Sequence, residues 1–272
     1  MRSQPLFIIG SPRSGTTFLV NILNQHPSIH ISNETRIFTL LKDMIDFRSW
    51  CPGLLGPDYR AMFVNYARSH AGTWIENFYR NELAISEPIW GDKYPGYARI
   101  WGQKASPDAI QTVASESSQN HSGATPSSCL RFIRECLPTA KFLHIHRDPR
   151  HVAYSLHRRG WVNSLNAGVA VWRQRVEEVG KFLHEIESDS YHIIAYGDLL
   201  DHSDKVTNGI AHFLGLCEPA SMLEFLIQQR AHPTPFRKPV TDLTMPRPTI
   251  PEYIGNNLLR LAGPCAEALG YH

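Results

Sequence analysis

The sequence is poor in several things at once. It holds five cysteines in 272 residues, Cys51, Cys129, Cys136, Cys217 and Cys265, and no two of them form a CxxC pair. An odd number without paired spacing suggests neither a disulfide framework nor a zinc knuckle, and leaves reduced, mostly buried thiols as the expectation. No apolar run approaches the ~20 residues needed to span a bilayer. The early run Pro5 to Ile9 is too short for a signal peptide and has no small-residue cleavage site after it, so a soluble cytoplasmic protein is expected. Charge of one sign is missing too. Lys and Arg number 27 against 25 Asp and Glu, a formal charge of +2, whereas a protein coating nucleic acid by counterion release would be far more basic. A near-neutral total still permits a local basic pocket. With 42% hydrophobic and 19% charged residues and no internal repeat, a disordered chain or a fibre is excluded.

What is present alternates between two periods. Leu6 to Ile9 is a continuous apolar run ending at Gly10, as in a strand buried on both faces, and Thr16 to Gln25 then places Phe18, Leu19, Ile22 and Leu23 at helical spacing before His26-Pro27 stops it. Lys141 to His146 reads as a second strand with a helix from Arg150 to Arg159. Tyr191 to Tyr196 reads as a third, followed by a helical stretch from Lys205 to Leu214. Strands alternating with helices imply an α/β fold, a central parallel sheet flanked by helices in a single P-loop-like domain over residues 1–272. Residues 113–128 read as a polar loop or insertion and residues 232–251 as a Pro-rich lid or tail.

Two basic turns stand out. Gly10-Ser-Pro-Arg-Ser-Gly15-Thr16-Thr17 has the outline of a phosphate-binding loop between strand and helix, where Ser14, Gly15, Thr16, Thr17 and a helix N-terminus turn N–H and hydroxyl groups toward an anion. The lysine that a nucleotide-hydrolysing loop carries after its second glycine is absent; Thr16 stands there, and Arg13 is the loop's one cation. A plain tight turn is the competing reading. In the second cluster, Arg147-Asp148-Pro149-Arg150 follows a strand directly, with Ser155 eight residues after Arg147. An Arg and a Ser so placed can share one phosphate if the loop folds back; a surface Arg–Asp pair at a helix start is the alternative. Arg158 and Arg159 read as a solvated face.

Pro5-Leu-Phe-Ile-Ile-Gly-Ser-Pro-Arg-Ser-Gly-Thr-Thr17 resembles the 5′-phosphosulfate loop of sulfotransferases that use 3′-phosphoadenosine-5′-phosphosulfate (PAPS). Together with Asn33-Glu34-Thr35-Arg36 it is similar to the tyrosylprotein sulfotransferases and their bacterial relatives; the cytosolic small-molecule enzymes typically carry Lys where Arg13 stands. The resemblance covers residues 5 to about 100 and 130 to about 240. It implies that Arg147 and Ser155 hold the 3′-phosphate, that Tyr196 lies near the adenine, and that Lys238, in Arg237-Lys238-Pro239-Val240, reaches the cofactor. From the residues alone, Glu34 is open between a general base and an acid starting a helix over Thr35 to Met44. Lys93, in Trp90-Gly91-Asp92-Lys93-Tyr94-Pro95, would otherwise be a loop cation held in a turn. The resemblance makes Glu34 the base, Lys93 the catalytic lysine, Arg13 a group serving both cofactor and leaving group, and Arg36 substrate-binding. No counterpart of the family's C-terminal active-site Ser is assignable. His26, before Pro27, reads as structural, and no metal-ligand set emerges from fourteen histidines.

The expected activity is sulfuryl transfer from PAPS, without a metal, to a hydroxyl of a small molecule, peptide or carbohydrate. A P-loop small-molecule kinase would share the first loop, but the lysine it would carry is absent from this sequence, where Thr16 stands. A catalytically silent PAP-binding protein would keep the loops and lose the base.

Overall fold

A computed structural model describes residues 3–46, 57–99, 128–231 and 250–272. Its centre is β1 (Gln4–Ile9), in which Leu6, Phe7, Ile8 and Ile9 are all buried. Both faces of a central parallel strand are covered, which is why the run does not alternate with polar residues. Each such side chain contributes about 2 kcal/mol by leaving water. The sheet has five strands, all parallel, in the order β2-β3-β1-β4-β5: β2 (Ile29–Asn33), β3 (Ile89–Lys93), β4 (Lys141–His146) and β5 (Tyr191–Ala195) complete it. The two edge strands are only partly buried.

Alternate residues of β1 feed opposite layers. Leu6 and Ile8 pack with Leu143, Ile145 and Ile194 against α1 (Thr16–Leu23), α7 (Tyr196–Asp201), α8 (Ser203–Leu214) and α9 (Ala220–Ala231). Phe7 and Ile9 pack with Phe142 against α2 (Ile37–Asp46), α3 (Pro57–Asn77), α4 (Cys129–Cys136) and the C-terminal part of α6 (Leu165–Leu183). The remainder of α6 presents Val169, Trp172 and Val176 to a third cluster with α5 (Pro149–Arg158), α10 (Glu252–Ala262) and α11 (Pro264–Ala268).

Several expectations shift. Lys93 is not in a turn; it is the last residue of a buried strand, and Gly91 in that strand lets the Leu6 carbonyl approach to where a Cβ would sit 1.8 Å from its oxygen. Tyr196 does not end the third strand; β5 stops at Ala195 and Tyr196 opens α7. The first helix ends at Leu23, short of Gln25. Of the described cysteines, all outside disulfides, only Cys129 is fully buried and Cys217 is exposed, so burial of the thiols is less general than expected. His26 accepts the Ser28 N–H on Nδ1 at 3.1 Å, a structural role at the α1–β2 turn. Residues 113–127 and 232–249, and Lys238 with them, lie outside the described residues.

Candidate active site

Parallel strands deliver all their carboxyl ends to one edge, the usual ligand edge of an open α/β sheet. Here that edge receives the loop after Ile9, Glu34 after Asn33, Lys93, Arg147 after His146 and Tyr196 after Ala195.

The first loop is shaped by two close approaches. Gly10 has φ 153° and a Cβ there would lie 2.3 Å from the Ile145 carbonyl oxygen; Gly15 has φ 97° and its Cβ would lie 2.3 Å from the Tyr196 ring. Any side chain at either position would displace backbone or ring. Arg13 between them takes a left-handed φ of 69°. No side chain caps α1, so its first N–H groups are left to the loop. Ser14 is fully buried and its hydroxyl has no hydrogen-bond partner. An orphaned buried hydroxyl in an N–H-lined loop fits an anionic oxygen supplied by a ligand.

Arginines gather around this loop. Arg13 Nε donates to Ser155 Oγ at 3.0 Å, and its guanidinium lies 5.9 Å from the Trp161 ring centre. Arg147 lies over the Tyr196 ring at 4.4 Å, while Trp172 Nε1 holds the Arg147 carbonyl at 2.9 Å. Asp148 is occupied otherwise: it caps α5 through Arg150 N and takes the Arg150 guanidinium at 2.7 Å. The Arg–Asp pair at the helix start therefore exists, but through Arg150. Burial, followed by the like charges of Arg159 and Arg147, pulls the Arg13 guanidinium down to about 10. Arg159 is exposed, as a solvated face would be, yet its charge is felt in the loop.

On the β2–β3 side, Lys93 Nζ meets Glu34 Oε1 at 2.7 Å. Lys93 is 1% exposed and Glu34 42%, so the lysine forms the floor and the carboxylate opens to solvent. Burial pushes the Lys93 ammonium down, and the Glu34 and Asp92 charges oppose the shift. Arg13 also lowers it, which ties the two halves electrostatically. Glu34 has φ 63° and is not the start of α2, which begins at Ile37. Arg36 turns its guanidinium over the Tyr94 ring, 5.1 Å from its centre. Among the described residues, no group of three or more His, Cys, Asp and Glu is placed to hold a metal ion.

A profile of the Sulfotransferase family matches residues 5–219. The chain belongs to the sulfotransferase family. It is 23% identical over 233 residues to a protein-tyrosine sulfotransferase of Drosophila melanogaster, a match that covers 78% of this chain but only 38% of that relative. In fold it is similar to the sulfotransferase domain of the Synechococcus PCC 7002 olefin synthase, with a TM-score of 0.60, 20% identity, and 100% of this chain and 96% of that one covered. It is similar also to the sulfotransferase of Alicyclobacillus acidocaldarius, with a TM-score of 0.55, 17% identity, and coverage of 100% and 98%. No described helix of this sulfotransferase-family chain is long and apolar enough to cross a membrane.

The structure brings Arg13, Ser155, Arg147 and Tyr196 together at one half of the edge and Glu34 with Lys93 at the other. Sequence reasoning missed what supports them: Asp92, Tyr79 and Tyr97 beneath Thr35, Trp161 beside Arg13, and Trp172 behind Arg147. A charged residue next to Gly91 in a run that reads Ile-Trp-Gly-Asp-Lys was the available signal, had that run been taken as a strand.

Proposed function

We propose that the protein transfers the sulfuryl group of PAPS to a hydroxyl acceptor, with Glu34 as general base. The observation that carries this is a carboxylate on a buried lysine at the same sheet edge as an N–H-lined loop with an orphaned Ser14 hydroxyl. Ser14, Gly15, Thr16, Thr17 and Arg13 would hold the 5′ end of the nucleotide. Arg147 and Ser155 would hold the 3′-phosphate, with Lys238 joining them and Tyr196 lying beside the base. Ser155 is well suited to this: its oxygen already accepts from Arg13 Nε, and its own hydrogen remains for a phosphate oxygen. PAPS supplies an activated sulfuryl group and a phosphate leaving group.

Glu34 takes the acceptor's proton as the acceptor oxygen bonds to sulfur. Arg13 and Lys93 neutralise the charge left on the 5′-phosphate as its bond to sulfur breaks. The products are a sulfate ester, 3′-phosphoadenosine-5′-phosphate (PAP) and a proton that Glu34 passes to water. Arg36 lies just beyond the base, where an acceptor would pass, and the acceptor class is a hydroxyl of a phenol, alcohol, sugar or peptide tyrosine. The same reading takes residues 1–272 as one cytoplasmic domain, in keeping with thiols outside disulfides and a charge of +2.

Thermal unfolding with PAP and with Mg-ATP, followed by incubation with PAPS and a simple phenol, tests the proposal. Stabilisation by PAP but not Mg-ATP, with sulfate ester formed, is the expected result. Stabilisation by Mg-ATP alone would replace it with a kinase, and PAP binding without turnover across phenols, alcohols, sugars and tyrosyl peptides with a silent binder.

A further inference from the structure

Beneath the proposed base, residues 34 to 36 form an unusual turn. Glu34 and Arg36 both sit in the left-handed region, at φ 63° and 59°. Non-glycine residues held there are strained and persist only where surrounding contacts fix them. The contacts here converge on Thr35. Its N–H donates to Asp92 Oδ1 at 3.2 Å and its hydroxyl to Asp92 Oδ2 at 2.9 Å. Having given its one hydrogen, Thr35 Oγ1 accepts from the Tyr79 hydroxyl at 3.3 Å. Tyr97 donates to Asp92 Oδ2 at 2.6 Å. One residue earlier, Glu34 N–H donates to the Lys93 carbonyl at 2.8 Å. The last two residues of β3 thus clasp the chain leaving β2.

Asp92 is fully buried. Burying a carboxylate is costly before its partners are counted. Its charge is felt by Lys93, but the two side chains do not meet. Successive strand side chains point to opposite faces, so Asp92 lies with Tyr79 and Tyr97 while Lys93 turns to the other face and to Glu34. Besides the Tyr97 hydroxyl, Asp92 takes both the N–H and the hydroxyl of Thr35, and Thr35 is the residue after the base.

We infer that Asp92 is a positioning residue: it grips Thr35 through a two-oxygen contact and so fixes the strained turn that holds the Glu34 carboxylate against Lys93. This rests on the reading of Glu34 as base. Thr35→Val removes the hydroxyl, keeps the shape and keeps the backbone donor; Thr35→Ser keeps the hydroxyl and drops the methyl; Asp92→Asn removes the second acceptor oxygen. For the Val and Asn variants, kcat should fall by about 10²-fold, as a misplacement of order 1 Å does, with the Kd for PAP within about twofold of wild type. Thr35→Ser should recover most of that rate. Crystal structures of the Val and Asn variants should place Glu34 beyond ion-pair distance of Lys93.

An intact pair in both crystal structures overturns the inference, as does unchanged kcat in the Val variant. A Ser variant as impaired as the Val variant also overturns it, because packing of the methyl would then be what matters. Should Asp92→Asn fail to fold, the two Thr35 variants decide. If the wild-type protein transfers no sulfate, the assigned reaction fails, while the crystal structures still decide whether Asp92 and Thr35 set the turn.

Discussion

The two halves of the site treat positive charge in opposite ways. Around the β1 loop, like charges are collected: burial and then the charges of Arg159 and Arg147 lower Arg13, which donates to Ser155 and lies beside the Trp161 ring, while Arg147 lies over the ring of Tyr196. At the ends of β2 and β3, opposite charges are joined, Lys93 to Glu34, over a buried network whose members are all hydrogen-bonded. A gathering of cations attracts an anion, in keeping with the proposed role of this half in holding the nucleotide's phosphates. An ion pair set beforehand suits a place that must orient a base. On the proposed reading, most of the binding falls to one half of the sheet edge and the base to the other, with Arg13 serving both.

Breaking the paired half should give the largest effect. Glu34→Gln is expected to lower kcat by about 10²- to 10⁴-fold while PAP binds as before, measured by single-turnover sulfate transfer and calorimetry. Next comes the clustered half. Arg147→Ala should weaken PAP about tenfold to a hundredfold, the loss of a hydrogen bond to a charged group, with kcat at saturating donor nearly kept; titrations at low and high salt should show the wild-type affinity falling more steeply. If Arg147→Ala instead lowers kcat alone, the division between halves is wrong.

Gly15→Ala probes the geometry that the cations depend on. A methyl aimed at the Tyr196 ring from a left-handed backbone should cost about 1–3 kcal/mol of stability and loosen PAP binding with it, read from urea unfolding and the same titration. The smallest effect on cofactor binding is expected behind the arginines, on β4. Burial, with the neighbouring His146 adding to it, pushes the His144 imidazole down to about 3; burial holds His146 down to about 4 despite Asp198. The unfolded chain takes up protons near pH 6.5 that the folded chain refuses until about 4 and about 3. Stability is therefore fully present above pH 6.5 and falls as pH drops through that window, by about 1.4 kcal/mol per unit for each group. His144→Leu should remove one of those two slopes in unfolding curves between pH 6.5 and 4.5, leaving neutral-pH PAP affinity unchanged.

The two halves also differed in how far they could be read from sequence. The first loop was legible because its two glycines and its one cation, Arg13, fall within six residues between a strand and a helix. Arg147 and Ser155 were legible as a spacing on one strand and helix. For Glu34 the residues left base and helix-start acid open, and for Lys93 they suggested a loop cation; family resemblance decided both, because 59 positions separate them and nothing local says that they touch. β3 itself escaped notice: three of its five residues are Gly91, Asp92 and Lys93, poor strand formers that tertiary contacts hold in place. The boundary at Tyr196 moved by one residue for a related reason, since an aromatic extends an apolar run whether it ends a strand or starts a helix. Support from a distance, such as Tyr79 reaching Thr35, leaves no sequence spacing to read.

The position of β1 also governs how the chain must assemble. Its partners begin at Ile89 on one side and Lys141 on the other, so the first of the five strands pairs only with segments far along the chain and is flanked on both sides only once the second of them exists. Closing such loops is an entropic cost met before any ladder bond rewards it, and parallel pairing of this kind slows folding. Until then Leu6 to Ile9 lack their sheet partners, and the turn from Gly10 to Gly15 that follows them packs against Ile145 and Tyr196 from much later in the chain. A truncated nascent chain ending before β4 would therefore carry every residue of the first loop and none of its form.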